Sequence, residues 1–246
     1  MRNIDNYTKM YMKSDVGGQQ IALPYRRKMV IEQVGKYQPT RILEIGCGLE
    51  PLFEYVEGRE WWIVEPSQYF CEIAEEKSHG SSHIKILQGF FEERIHDLEK
   101  LNFDMVICSS LLHEVEDPEL LLSDIRKICT DKTIVHINVP NAKSFHRVLA
   151  KSMGIIRNEY EVSQKNAVLQ QNNVFDMEKL TEIVIGYHYD ILDKGSYFIK
   201  PFTDRQMFDM LEAHIIDESV LDGLDEMIGE MPEMGAGIFI NCRKAR

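Results

Sequence analysis

The sequence is short of positive charge. Its 246 residues carry 28 Lys and Arg against 40 Asp and Glu, a formal net charge of −12. That balance disfavours a general nucleic-acid binder, which needs many phosphate contacts from basic side chains. Cysteine is sparse: Cys47, Cys71, Cys108, Cys129 and Cys242 are dispersed, odd in number, and form neither a CxxC pair nor a zinc spacing. A disulfide framework and a structural zinc are therefore not expected, and reduced thiols are the default. No apolar run approaches the ~18 residues of a membrane span. The opening Met-Arg-Asn-Ile-Asp-Asn-Tyr is followed by no apolar signal segment. Internal repeats and low-complexity tracts are also missing. These absences leave a soluble, globular, cytoplasmic chain as the expectation, monomeric or homodimeric, with neither nucleic acid nor membrane as partner.

The charge that is present comes in blocks. Residues 1–41 carry eight basic and three acidic side chains, and residues 141–165 five and two. Residues 202–234 carry one basic and ten acidic. The two positive blocks are expected around the mouth of a site, which would leave an anionic small molecule as an acceptable ligand.

Short runs rich in Val and Ile alternate with helical patterns. Strands are expected at 41–45, 61–64, 84–87, 103–108, 133–139, 187–192 and 236–242. Most are apolar on both faces, as in a parallel sheet covered by helices on each side. A helix from Pro24 to Val34 would be closed by Gly35. Asp117-Pro118 and Asp176 read as helix starts, with Gly186 as a stop. Thr203 and Gln206 have capping-box spacing, and Phe202 with Met207 staple spacing. The helix they open would carry Met207, Met210, Leu211 and His214 on one face. The fold class is α/β: a doubly wound, mostly parallel seven-stranded sheet, Rossmann-like, with helical lid insertions. Within one domain over 1–246, residues 1–37 would be a cap and 38–140 a binding core. Residues 141–173 and 197–234 would be lids over the site.

The most informative stretch is Ile42-Leu-Glu-Ile-Gly-Cys-Gly-Leu-Glu-Pro51. A buried strand runs into Gly-x-Gly at the sheet edge where open parallel sheets bind ligands. A nicotinamide fingerprint needs a third glycine; Pro51 stands there and has no N–H for a pyrophosphate. With Glu44 inside the strand, that counts against a dehydrogenase and suits a ligand with a positive amino group.

Taken together these residues resemble the class I S-adenosylmethionine-dependent methyltransferases. Glu44-Ile-Gly46-Cys47-Gly48 matches the family's first motif. Glu65 in Trp-Trp-Ile-Val-Glu-Pro66 matches the acid that holds the ribose. Gln88-Gly89-Phe90 matches the adenine-side loop, and Ser109-Ser110-Leu-Leu-His113-Glu114 the motif after the fourth strand. The resemblance implies S-adenosylmethionine as donor, and S-adenosylhomocysteine as product, bound by these residues. In the family an N-terminal segment often folds over the donor, which brings in Tyr11 or Tyr25. There are departures: Glu50 replaces a frequent third glycine, and Phe90 a frequent Asp.

His113 is the first candidate for a general base to an alcohol acceptor, with Glu114 beside it. Ubiquinone-type O-methyltransferases are similar here and have a Glu-x-x-Glu-His metal set. Ser110, His113 and Glu114 stand at those positions; two ligands make a poor divalent site, so no metal is expected. After the fifth strand, Asn141, Lys143, Ser144, His146 and Arg147 suit an anionic or polyhydroxylated acceptor, with Tyr25, Arg26 and Lys200 as further candidates. His136 inside the fifth strand, and His188, read as buried and satisfied. This downstream run looks like bacterial methyltransferases of surface-glycan and small-molecule biosynthesis. The expected activity is methyl transfer to a small anionic or sugar-like hydroxyl acceptor. An N-methyltransferase on a small amine, an NAD-dependent oxidoreductase and a non-catalytic donor-binding partner protein are the alternatives.

Overall fold

The computed structural model describes residues 4–11, 21–162 and 173–245. Seven strands form one sheet: β1 Arg41–Ile45, β2 Glu60–Glu65, β3 Ile84–Gln88, β4 Met105–Ser109, β5 Ile134–Pro140, β6 Tyr189–Tyr197 and β7 Gly237–Lys244. Their order is β3-β2-β1-β4-β5-β7-β6, and only β7 runs against its neighbours. Among the described residues the helices are α1 Ile4–Tyr11, α2 Leu23–Tyr37, α3 Gln68–Lys77, α4 Phe91–Leu98 and α5 Pro118–Ile128. They continue with α6 Phe145–Ser152, α7 Met177–Gly186, α8 Asp204–Glu212 and α9 Glu218–Glu226.

The central strands are apolar on both faces, and two cores follow. On one face Leu98, Leu121, Leu122, Ile125, Leu180 and Val184 from α4, α5 and α7 pack on Leu43, Val106 and Ile137. On the other, Met29, Val30, Val34, Ala74, Met207 and Leu221 pack on Ile42, Ile63 and Ile107. Burying each such side chain is worth about 1.5–3 kcal/mol. All five cysteines are free and buried. No described helix is long and apolar enough to cross a membrane.

Three local expectations are corrected. Helix α2 runs past Gly35 to Tyr37; Gln38 takes the left-handed conformation and donates its N–H to the Val34 carbonyl. Helix α7 ends at Gly186 as expected, but His188 beyond it (φ 60°) is exposed rather than buried. The Thr203–Gln206 capping box forms, with Phe202 41 % exposed, but His214 lies exposed beyond the end of α8 rather than on its inner face.

Strand β6 is the larger change. It runs to Tyr197, five residues beyond the expected end, with a register shift between Ile191 and Asp193. Its middle alternates exposed and half-buried residues, as an edge strand does, so no apolar run marks its length. Pairing places Pro140 beside Gly237 and Gly237 beside Tyr197. The hairpin therefore delivers Tyr197 and the segment after it to the carboxyl edge of β1, β4 and β5. A side chain at Gly237 would collide with the Tyr197 ring, so this crossing needs glycine.

The acidic block of residues 202–234 folds onto the basic block of the first helices. Tyr25 Oη donates to Asp222 (3.0 Å), and Lys28 pairs with Asp225 (2.7 Å). Arg27 pairs with Glu50 and lies over the Tyr55 ring at 4.0 Å. Among the described basic residues of 1–41, Arg27, Lys28, Lys36 and Arg41 each pair with a carboxylate.

Candidate active site

The glycine loop is shaped by the strand beside it. Gly46 (φ 78°) donates to the Val64 carbonyl at 2.9 Å, and Gly48 (φ 56°) follows in the same left-handed region. Non-glycine residues pay for that conformation. Glu65, at the end of β2, is the template. Its Oε2 accepts from the N–H groups of Cys47 (3.1 Å) and Gly48 (3.4 Å), and its Oε1 from Ser67 (2.9 Å). Burial raises its pKa to about 7 against the opposing pull of those three donors, and the Glu114 carboxylate adds to the rise. Glu44 lies behind the loop, 3 % exposed, and accepts from Leu52 N–H at 3.1 Å. Burial pushes it up to about 8. It faces a side cavity of about 100 Å³, where Arg26 and Arg27 also stand.

The turn after β4 is held by a buried polar chain. Ser110 (φ 55°) donates its N–H to Asn138 Oδ1 at 3.1 Å. Asn138 Nδ2 donates to Ser109 Oγ (2.9 Å) and to His136 Nε2 (3.0 Å). His136 Nδ1 reaches Asn241 Oδ1 at 2.8 Å, and Asn241 donates to Gln33 and Asp193. The ring therefore carries its proton on Nδ1, and burial keeps it neutral, its pKa down at about 4. His136 is buried and satisfied, as its place within a strand implied. The chain of contacts fixes the turn that carries His113 and Glu114, both buried, with His113 Nε2 3.8 Å from Glu114 Oε1.

A cavity of about 570 Å³ opens above this edge, within the ~300–1,000 Å³ of small-molecule sites. Its wall brings together Gly46, Cys47, Gly48, Glu65, Pro66, Ser109 and Ser110 with His113 and Glu114. The same wall includes Asn141, His146, Arg147, Arg26 and Lys200. His146 is kept neutral, its pKa lowered to about 3 by burial and by the Lys200 and Arg147 charges. Lys200 pairs with Asp204 at 3.2 Å. Arg147 donates to the carbonyls of Glu159 (2.7 Å) and Glu161 (2.6 Å).

Other candidates are placed elsewhere. Gly89 and Phe90 are not on this wall; a side chain at Gly89 would meet the Arg94 guanidinium at 2.8 Å. Ser144 is buried behind it with Oγ 3.2 Å from His146 Nδ1. Tyr25 stacks on Phe198 at 4.4 Å and ties α2 to α9. Asn141 reaches the wall, but its amide donates to the Glu233 and Gly235 carbonyls and its oxygen accepts from Lys143 N–H. Lys143 itself pairs with Asp176. Tyr11 closes α1, and its side chain lies outside the described residues. Among those residues, no group of three or more His, Cys, Asp or Glu is placed to hold a metal ion.

Sequence reasoning passed over Tyr197, Leu111, Thr203, Asp204, Ile155 and Ile156, all on the wall. Tyr197 is buried and its pKa pushed up to about 12 by burial. The alternation of burial along β6 could have reached it, had the strand been carried to its full length.

The family model described as "Methyltransferase domain" matches residues 23–191. No curated protein sequence matches the chain. Among solved structures, an S-adenosylmethionine-dependent methyltransferase from Thermotoga maritima superposes with TM-score 0.62 at 15 % identity, covering 99 % of this chain and 96 % of that one. One from Archaeoglobus fulgidus gives 0.55 at 17 %, covering 91 % and 97 %. The plantazolicin methyltransferase BamL, solved with a desmethylPZN analogue and S-adenosylhomocysteine, gives 0.57 at 14 %, covering 98 % and 97 %. At such identities the likeness concerns the fold.

Proposed function

The chain belongs to the methyltransferase domain family, and from that footing we propose that it moves a methyl group from S-adenosylmethionine to a small, anionic, hydroxyl-bearing acceptor. The observation that carries this reading is the single cavity in which the glycine loop and Glu65 share a wall with His113, His146, Arg26 and Lys200.

The residues fit such a donor. Gly48 leaves open space where a side chain would stand. Glu65 and Glu114 bring carboxyl groups beside the loop, suited to a ligand with a positive sulfur. Gly46, Cys47, Gly48, Glu65, Pro66, Ser109 and Ser110 would hold it, with Glu44 bracing the loop from behind. When bound, the donor supplies a methyl group made electrophilic by its sulfonium.

The protein's share is positioning and proton handling. Methyl transfer is an in-line displacement, so holding the acceptor oxygen close and aligned supplies much of the rate. Arg26, Arg147 and Lys200 hold the acceptor's negative group. His113 takes the hydroxyl proton, and Glu114, 3.8 Å from its Nε2, balances the charge that the ring then carries. Ile4, Tyr7 and Leu23 line the same cavity.

The test is mass spectrometry of metabolite extracts incubated with the protein and methyl-labelled donor. A labelled acidic alcohol is the expected product; label found only on amines would refute the acceptor assignment. His113→Gln is expected to lower turnover about 10²–10⁴-fold while donor binding stays within twofold. Unchanged turnover would remove His113 as the base.

A further inference from the structure

The cavity has a second character beyond its charges. Helix α6 carries Phe145, Val148, Leu149 and Ala150, yet none of its residues is buried. The turn that follows exposes Met153 (64 %) and Ile155 (67 %). Ala150, Ile155 and Ile156 line the same cavity as Arg147, which stands one turn before Ala150. Apolar side chains left open to water at the mouth of a charged cavity mark a surface for an apolar ligand.

The cations on this wall are also uneven. On α2, Arg27, Lys28 and Lys36 each pair with a carboxylate. Among the described residues, Arg26 on the cavity wall has no carboxylate within 4 Å, and the N–H groups that Arg147 commits go to neutral carbonyls. Lys200 has Asp204. Two guanidinium groups therefore line the cavity with no described carboxylate within 4 Å, although Glu159 and Glu161 act on Arg147 from farther away, and a guanidinium fork suits a planar two-oxygen anion.

We propose that the acceptor is an amphipathic carboxylic acid: Arg26 and Arg147 hold its carboxylate, and its apolar chain lies along Ala150, Ile155 and Ile156 toward Met153. This rests on the methyltransferase reading and narrows its acceptor from a compact sugar-like anion to an acid with a hydrocarbon arm.

The experiment is calorimetric titration of decanoate into the protein saturated with S-adenosylhomocysteine. Butanoate and decylamine are the comparison probes. Decanoate is expected to bind at least tenfold more tightly than either, since each buried methylene adds ~0.8 kcal/mol, about fourfold. Arg147→Gln should weaken decanoate about tenfold. Ile155→Ser, at an exposed position, should weaken decanoate about threefold or more and leave butanoate unchanged. Butanoate binding as tightly as decanoate would overturn the apolar arm, and decylamine doing so would overturn the anion site. If S-adenosylhomocysteine itself fails to bind, the donor-site reading falls and this inference with it. If it binds but the probes do not discriminate, only the acceptor class is wrong.

Discussion

If Glu65 holds the donor as proposed, donor affinity depends on pH, and the size of the effect follows from the surroundings of its carboxyl group. Its carboxyl is 5 % exposed, and burial raises its pKa to about 7 in the unliganded protein. A ribose hydroxyl donating to this group, present in S-adenosylmethionine and S-adenosylhomocysteine alike, would favour the ionised form. Binding therefore requires the ionised fraction, and the apparent dissociation constant is the intrinsic one divided by that fraction. With a pKa near 7, about one molecule in eleven is competent at pH 6 and about ten in eleven at pH 8. Affinity for S-adenosylhomocysteine should thus rise about tenfold between those values, or about 1.4 kcal/mol. Isothermal titration in buffers of different ionisation enthalpy would report the affinities and a proton released on binding near pH 7. Glu65→Gln should bind more weakly throughout and lose the pH slope. Equal affinity of the wild type at pH 6 and 8, or an unchanged slope in Glu65→Gln, would refute the reasoning.

Glu44 gives a stability prediction with a definite sign. Its pKa is raised by burial to about 8, so its contribution is fully present below its ordinary value of 4.5 and is lost as pH rises to about 8. The melting temperature of Glu44→Gln should fall less steeply than that of the wild type between pH 6 and 9; parallel curves would count against it. Asp176 has the opposite sign: Lys143, Tyr160 and the Lys179 N–H outweigh its burial and hold it down at about 2. That stabilisation is present above pH ~4 and lost toward pH 2. Asp176→Ala, which also removes the cap of α7, should cost about 1–2 kcal/mol in urea unfolding at pH 7, and a loss under 0.5 would be too small for the geometry. Asn241→Leu leaves His136, Gln33 and Asp193 without their buried partner and should cost about 2–4 kcal/mol, a larger loss than Asn241→Asp if the hydrogen bond to His136 Nδ1 dominates.

Much of the architecture was legible because it is written locally. The strands from Arg41 to Val139 could be read as short apolar runs, and the starts of α5 and α7 as Asp caps, both of which form with the side chain accepting from the third N–H onward. Errors fell where the local signal was ambiguous. Gly35 was expected to stop its helix, but a glycine on a solvated helix face costs only ~1 kcal/mol and packing carried α2 through it to Tyr37, whereas α7 does end at Gly186. The length of β6 was hidden because an edge strand wets one face and breaks the apolar run.

The sequence by itself determined the order of elements, the Gly-x-Gly loop and the acid on the next strand. Each of these depends on residues a few positions apart, where backbone geometry leaves little choice. Only the tertiary structure decided which polar atoms remain for a ligand. Asn141, Ser144 and Tyr25 have side chains suited to an acceptor, yet they bond to Glu233 and Gly235, to His146, and to Asp222. Arg26 has no described carboxylate within 4 Å, while its neighbours Arg27 and Lys28 find theirs in Glu50 and Asp225. Tyr197 reaches the cavity because the β6–β7 hairpin turns it back over Gly237. A buried polar group must be satisfied by whatever lies nearest in space. Across separations of 23 to 197 residues, as in Arg27–Glu50 and Tyr25–Asp222, that neighbour is set by the packing of the whole chain and leaves no mark on the local pattern.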